Sequence, residues 1–403
     1  MRVLRRIGRD LAGALVTAVA IVPLAVSATI ARFRPKAADI GFGPEPLLNH
    51  VAAVEACRHA GIRAESYCVI PYFITRNFDR ILDESPVGPV GWLPPRRLWI
   101  HLFGFMWAIR RYRVHAISCR GGLLGVVPFL RGIEPLLLKI AGVRTIVLPY
   151  GSDVQQISLN PSPRFRRALE LDYPETITEE GVVRRQTRRW SRRADVVVNG
   201  CDWVDYLERR DLLTLGHFTI DPVPDHIRWR APSSFTEARP LRILHAPNHE
   251  AIKGTESLRH AVNSLEQEGH HLDLRIVRKR PNEEVLREIE QCDLVVDQLV
   301  IGWYALFALE AMSRGRAVVC HVREDLEHYY VEQGILKAAE LPLIDADEST
   351  IEQTLREILV EPGHLERSAS GGPSFADRHH GPRAMGRRYR EILDRLGVPI
   401  NDQ

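Results

Sequence analysis

None of the six cysteines belongs to a Cys-x-x-Cys pair, and most sit inside apolar runs. That spacing argues against a zinc site or a disulfide framework and suits buried free thiols in a reducing compartment. Charge of one sign is also lacking: 54 Lys and Arg against 51 Asp and Glu leave a formal +3. Nothing global therefore calls for nucleic acid, although a local basic patch stays possible. There is no short-period repeat and no low-complexity tract. What remains is ordinary globular chemistry, 45% hydrophobic and 26% charged, in 403 residues. Such a length suits two cores better than one.

The longest apolar run comes first. Residues 11–31 carry no charge, are flanked by Arg2, Arg5, Arg6 and Arg9 before and by Arg32, Arg34 and Lys36 after, and contain Pro23. A helix of that length approaches the thickness of a bilayer core. A cleaved leader ending near Ala25-Val26-Ser27-Ala28, a spanning anchor and an interfacial segment all fit. Residues 1–36 are expected to associate with a membrane, on its cytoplasmic face because both flanks are basic.

Beyond it, strand and helix patterns alternate, as in doubly wound α/β sheets. Helix is expected over 47–60, closed by Gly61, and over the apolar stretch 121–140 after Gly121-Gly122. Strands are expected at 64–70, 114–118, 145–148 and 195–199. Residues 85–97 and 222–239 are rich in Pro or Gly and read as a loop and an interdomain linker. The alternation then restarts, with strands at 241–245, 272–277, 294–296 and 317–321 and helices at 255–268, 283–291 and 304–313. Gly371-Gly372-Pro373 is expected to break the chain before a last charged helix, 382–396. The expected units are thus 37–221, 240–372 and 373–403, with a ligand cleft between two Rossmann-like domains.

Three fragments carry chemistry. Asn248-His249-Glu250 leads into Lys253-Gly254-Thr255, where a cation and a glycine precede a helix, a natural anion site or an ordinary cap. Asp293 to Gln298 is a buried strand tip leading to Gly302-Trp303-Tyr304 and Glu310-Ala311-Met312. Glu310 lies among Leu306, Phe307, Leu309 and Met312, where a carboxylate needs donors such as vicinal sugar hydroxyls, or an ion pair with Arg314. Asp153, ending a strand at Gly151-Ser152-Asp153, is either a polar group of the cleft and a catalytic candidate or the anchor of an Asx turn. Arg184, Arg185, Arg188, Arg189, Arg192 and Arg193 recur along a helix with Trp190 between them. That face fits an anionic membrane surface or pairs with Glu175, Glu179 and Glu180. His379-His380 is expected in a loop rather than at a metal.

Together, Lys253-Gly254-Thr255, Asp293 to Gln298, Gly302-Trp303-Tyr304, Glu310-Ala311-Met312 and Gly315 resemble family 4 retaining glycosyltransferases of the GT-B fold. The likeness is to bacterial members that build surface polysaccharides. Ile40-Gly41-Phe42-Gly43-Pro44 and Gly151-Ser152-Asp153 resemble the same group, so the likeness covers about residues 39–395. It implies two domains closing over a nucleotide-sugar cosubstrate, with no other cofactor and no metal, and a glycan or lipid-linked acceptor. It implies that Glu310 binds ribose hydroxyls, that Lys253, beside Gly254, neutralises the diphosphate, and that Gly41 and Gly43 approach the phosphates. Gly302, Trp303 and Tyr304 would lie near the donor sugar. Two departures stand out: Gly302 replaces the first of the family's paired glutamates, and Asn248 replaces a basic residue, for which His249, Arg278 or Lys279 would have to substitute. A sugar-nucleotide epimerase and a non-catalytic scaffold are the competing readings.

Overall fold

The computed structural model describes residues 19–85, 96–222 and 232–400. Two parallel sheets form the frame. The first holds seven strands, β1 (Ala38–Phe42), β2 (Ala64–Cys68), β3 (Arg80–Ile81), β4 (Tyr112–Ile117), β5 (Arg144–Val147), β6 (Val196–Gly200) and β7 (Leu212–Thr214), in the order β3-β2-β1-β4-β5-β6-β7. The second holds β8 (Leu241–His245), β9 (Leu272–Ile276), β10 (Leu294–Val296) and β11 (Ala317–Val319), in the order β11-β10-β8-β9. The strands β6, β10 and β11 are buried along their whole length, which is why they read as Val-rich runs rather than alternating ones. In both sheets order reverses beside the first strand, and the loops leaving the carboxyl ends face the other domain.

The helix Pro382–Arg395 crosses back from the second domain to the first. Its Met385, Tyr389, Ile392 and Leu393 pack with Ile40, Ala53 and Val54 in one apolar cluster. It follows Gly363–His380, a helix that runs straight through Gly371-Gly372-Pro373 instead of breaking there. Close approach explains the glycine: a Cβ on Gly372 would lie 2.7 Å from the Met312 carbonyl oxygen of the neighbouring helix Leu306–Ser313. Gly372→Ala should therefore lower the thermal midpoint by roughly 2–6 °C. Gly363→Ala, at a position with open space around it, should leave the midpoint unchanged or slightly raised; calorimetry on both checks this.

Residues 121–140 also differ from expectation. Only Glu134–Ile140 is helical, and 121–133 is a series of turns. The buried Glu134 carboxylate organises them, accepting the Gly122 and Leu124 N–H groups at 3.1 and 2.9 Å. A helix over Arg96–Arg111, adjoining the expected 85–97 loop, is an addition. Residues 86–95 of that loop and 223–231 of the expected linker lie outside the described residues.

At the N-terminus residues 19–32 are helical, and 11–18 lie outside the described residues. Ala20, Leu24, Ala28 and Ala31 pack into the first domain's core. The Lys36 ammonium ties the helix end down, donating to the Ala31 carbonyl at 2.7 Å and the Ile109 carbonyl at 2.5 Å. Among the described residues no helix is long and apolar enough to cross a membrane. All six cysteines are free and buried.

Candidate functional site

Two cavities lie between the domains and meet at the start of the helix Leu306–Ser313. The larger, about 420 Å³, is bounded by Ile74, Arg76 and Asp221 of the first domain and by Asn282, Glu310 and Arg314 of the second. The smaller, about 200 Å³, is bounded by Gly151 and Asp202 from one side and by Asn248, Lys253, Trp303 and Tyr304 from the other.

Glu310 reaches the larger cavity from a helix that is otherwise apolar and is itself only 8% exposed. Its Oε1 accepts a 2.7 Å bond from the Asn282 amide. The ion pair to Arg314 does not form: that guanidinium donates to the Glu310 carbonyl at 3.3 Å and lies 3.8 Å from Glu290. Burial raises the Glu310 carboxyl to about 7, against the opposing pull of the Asn282 bond and of nearby Arg314. A carboxylate with one neutral donor and acceptor capacity to spare, beside a cavity, can take two hydroxyls.

Lys253 lines the smaller cavity but is engaged with Asp297, which is fully buried and also accepts the Ala305 N–H at 3.3 Å. Gly254 follows in the left-handed region at φ 70°, packed under Leu299, which a Cβ would meet at 2.8 Å. Thr255 behind it is fully buried and bonded to His245 at 2.9 Å. The turn thus serves packing, and only the Lys253 side chain of this trio faces the cavity. Asn248 is exposed at its mouth.

Of the three substitutes for a second cation, His249 is bonded to the Tyr173 hydroxyl at 2.6 Å and lowered in pKa by burial, hence neutral. Arg278 is paired with Glu250 at 2.5 Å. Lys279, the third, stands in a positive-φ turn at 50°. Tyr173 comes from the first domain, and its neighbour Asp172 accepts the Ile252 N–H at 2.8 Å, so the Lys253 turn is fastened across the cleft.

Gly302 has φ 92°, and a Cβ there would lie 2.4 Å from Cγ of Arg323. Arg323 is itself held by Asp205 and Asp325, each at 2.6 Å. A glutamate at 302 would be strained and would collide, so the local architecture suits glycine there. Trp303 and Tyr304 are almost fully buried: the indole donates to the Leu215 carbonyl at 2.9 Å, and the Tyr304 hydroxyl meets His380 at 3.0 Å. His379-His380 is the last turn of a helix, not a loop, and His380 positions Tyr304.

Neither Gly41 nor Gly43 is among the residues lining these two cavities. Gly41 lies within β1 against the Tyr112 ring, and Gly43 lies against the Tyr67 carbonyl, 2.3 Å from where its Cβ would be. Asp153 is fully buried and accepts three backbone N–H groups, of Cys119, Tyr150 and Gly151, at 2.8, 2.9 and 3.1 Å. It fastens the loops after β4 and β5, and the Asx-turn reading fits these contacts. An Asp-x-Asp occurs at Asp345-Ala346-Asp347. Its carboxylates cap backbone N–H groups at 322, 349 and 350, and Asp347 pairs with Arg164.

The sequence reading missed Asp202, just after β6. It is 3% exposed, lines the smaller cavity, and accepts one bond from the Gln155 amide at 2.9 Å. Burial raises it to about 6. Its signal was available: it follows a Val-Val-Val strand at the carboxyl edge, where parallel sheets place ligands.

The fold has counterparts among solved structures. HepE of Anabaena, in complex with UDP-glucose, superposes with a TM-score of 0.53 at 13% identity, over 89% of this chain and 99% of that one. Sucrose-phosphate synthase from Thermosynechococcus elongatus gives 0.54 at 13% identity, over 89% and 98%. The fold is GT-B. No family model matches the sequence, and no curated protein matches it. In GT-B terms the two cavities occupy the cleft between the facing domains, and the helix Pro382–Arg395 makes the return crossing.

Proposed function

We propose that the protein is a glycosyltransferase that moves a sugar from a nucleotide sugar to a glycan or lipid-linked acceptor, in bacterial surface-polysaccharide synthesis at the cytoplasmic face of the membrane. The observation carrying this reading is the Glu310 carboxylate, buried at a cavity between two GT-B domains and satisfied by one neutral amide. Ribose hydroxyls would supply the missing donors. The diphosphate would then lie toward the smaller cavity, where Lys253 turns from Asp297 to the phosphates and offsets the charge that develops as the anomeric C–O bond breaks. With positioned cations in that role the reaction is metal-independent, and retention of configuration is the stereochemistry we expect. Asp202 would face the donor sugar or the acceptor hydroxyl from the first domain. That HepE binds UDP-glucose on this fold supports trying UDP sugars first.

UDP release from a panel of UDP sugars, with undecaprenyl-linked and soluble glycan acceptors, tests the reading. Acceptor-dependent release with a glycosylated product is expected. Interconversion of free sugar nucleotides would replace it with the epimerase reading. Nucleotide binding without turnover on any acceptor would leave the scaffold.

The raised Glu310 carboxyl predicts a pH dependence. Only the ionised form accepts two hydroxyls, and in the empty protein half of it is protonated near pH 7. UDP-glucose affinity should therefore rise about tenfold from pH 6 to 8 and level off above. Calorimetry on Glu310→Gln should show weak binding with no such rise; a parallel rise in the variant would contradict the assignment.

A further inference from the structure

The N-terminal helix has two faces, and only one is covered. Leu24, Ala28 and Ala31 are buried, whereas Val19, Val22, Val26 and Ile30 are 68%, 63%, 53% and 42% exposed and are followed by Phe33 at 80%. At 100° per residue those exposed positions fall on one line. A continuous outward apolar stripe is therefore built into a helix that is already part of the domain.

The flanks of the stripe are basic. On one side Arg32 joins Lys139, Arg144, Arg192 and Arg193 around an open cleft of about 850 Å³, with Asp195 its one carboxylate. Arg144 pairs with Asp195 at 2.9 Å. No ion pair joins Lys139, Arg192 or Arg193 to a carboxylate among the described residues, and all three are exposed. The arginine face foreseen in the sequence thus ends in a concave cation cluster, and its pairing with Glu175, Glu179 and Glu180 is not found among the described residues. On the other side Phe103, Met106 and Trp107 form an apolar groove rimmed by Arg110, which donates to Ser27 at 3.2 Å. An apolar stripe between cationic flanks, with aromatic side chains alongside, matches the layering of a bilayer interface, where acyl chains lie beneath anionic headgroups.

We propose that this face docks on an anionic bilayer and that the Arg32–Lys139–Arg192–Arg193 cleft receives the phosphate of a lipid headgroup. The proposal rests on the membrane-face reading above and names its surface. The cleft lies at the amino ends of β5 and β6, whereas the donor cavities lie at the carboxyl ends, so the two can be perturbed separately.

The test uses the full chain and sedimentation with vesicles of neutral phosphatidylcholine, alone or with a third phosphatidylglycerol. The wild type should prefer the anionic vesicles by about tenfold or more, less so at high salt. Arg192→Glu with Arg193→Glu should bring that ratio near one, and Val22→Asp with Val26→Asp should weaken binding to both vesicle types. Melting shifts with UDP should stay as in the wild type for both variants, and their loss in every protein would instead speak against the donor-site reading. An unchanged vesicle ratio in the arginine variant would overturn the proposal. So would tighter binding of RNA than of anionic vesicles, an arginine-dependent stabilisation by inorganic phosphate without vesicle preference, or a wild-type dimer that the valine variant splits.

Discussion

Glu310→Ala is expected to weaken UDP binding about a hundredfold while leaving the melting temperature of the free protein unchanged or raised. Two charge-assisted hydrogen bonds to ribose hydroxyls, at about 1.5–3 kcal/mol each, account for a loss of that size after the desolvation already incurred is discounted. The free protein gains because the side chain it loses is a buried carboxyl with a single 2.7 Å partner, whose pKa burial has driven up. Folding raises that pKa above its ordinary value, so the folded chain binds the extra proton. The carboxyl's contribution to stability is thus full below about pH 4.5 and lost as pH rises through about 7. A structural glutamate would behave in the opposite way: its removal would lower stability and leave nucleotide affinity alone. Calorimetric titration and thermal unfolding of the same samples separate the two.

The second large effect is at Lys253. Its ammonium and the fully buried Asp297 carboxylate form a pair in which the lysine side chain is 15% exposed. Lys253→Met leaves Asp297 buried without a counter-charge and should cost about 3–5 kcal/mol of stability. Turnover should fall as well, but a destabilised protein proves little. The informative variant is the double one, Lys253→Met with Asp297→Asn. The asparagine is neutral, and its carbonyl can still accept the Ala305 N–H. Stability should return to within about 1 kcal/mol of wild type, while donor turnover stays at least a hundredfold down because no cation meets the leaving diphosphate. Recovery of turnover in the double variant would reduce Lys253 to a structural role. Unfolding midpoints and kcat for the three proteins decide it.

Much of this frame was legible in the sequence, and what was legible had a local cause. β10 falls where expected, at 294–296, because a strand buried on both faces must be apolar throughout, and β8 falls at 241–245, where Leu241, Ile243 and Leu244 supply the buried apolar positions. The helix carrying Glu310 was legible because a carboxylate among four large apolar residues demands an explanation. Features set by distant partners were not. The turns at 121–133 depend on Glu134 accepting two N–H groups, and no periodicity records that. Gly372 reads as a breaker until Met312 is seen against it. The same holds for the site. Asn282 is 28 residues from the carboxylate it bonds, and Asp202 enters the cavity from the other domain. Gly41, Gly43 and Gly254 look like phosphate-loop glycines, yet each stands where a neighbour in its own domain, the Tyr112 ring, the Tyr67 carbonyl or Leu299, leaves no room for a Cβ. A glycine records close approach without recording what approaches.

Hydrogen exchange with and without saturating UDP tests the central claim most directly, since it reports where the nucleotide sits without presuming the reaction. Slower exchange is expected in the helices Asn282–Gln291 and Leu306–Ser313 and in the Lys253 turn, with no change along residues 19–32. Protection confined to other segments, or none at all at saturating nucleotide, would contradict the assignment of the cleft beside Glu310 as the donor site.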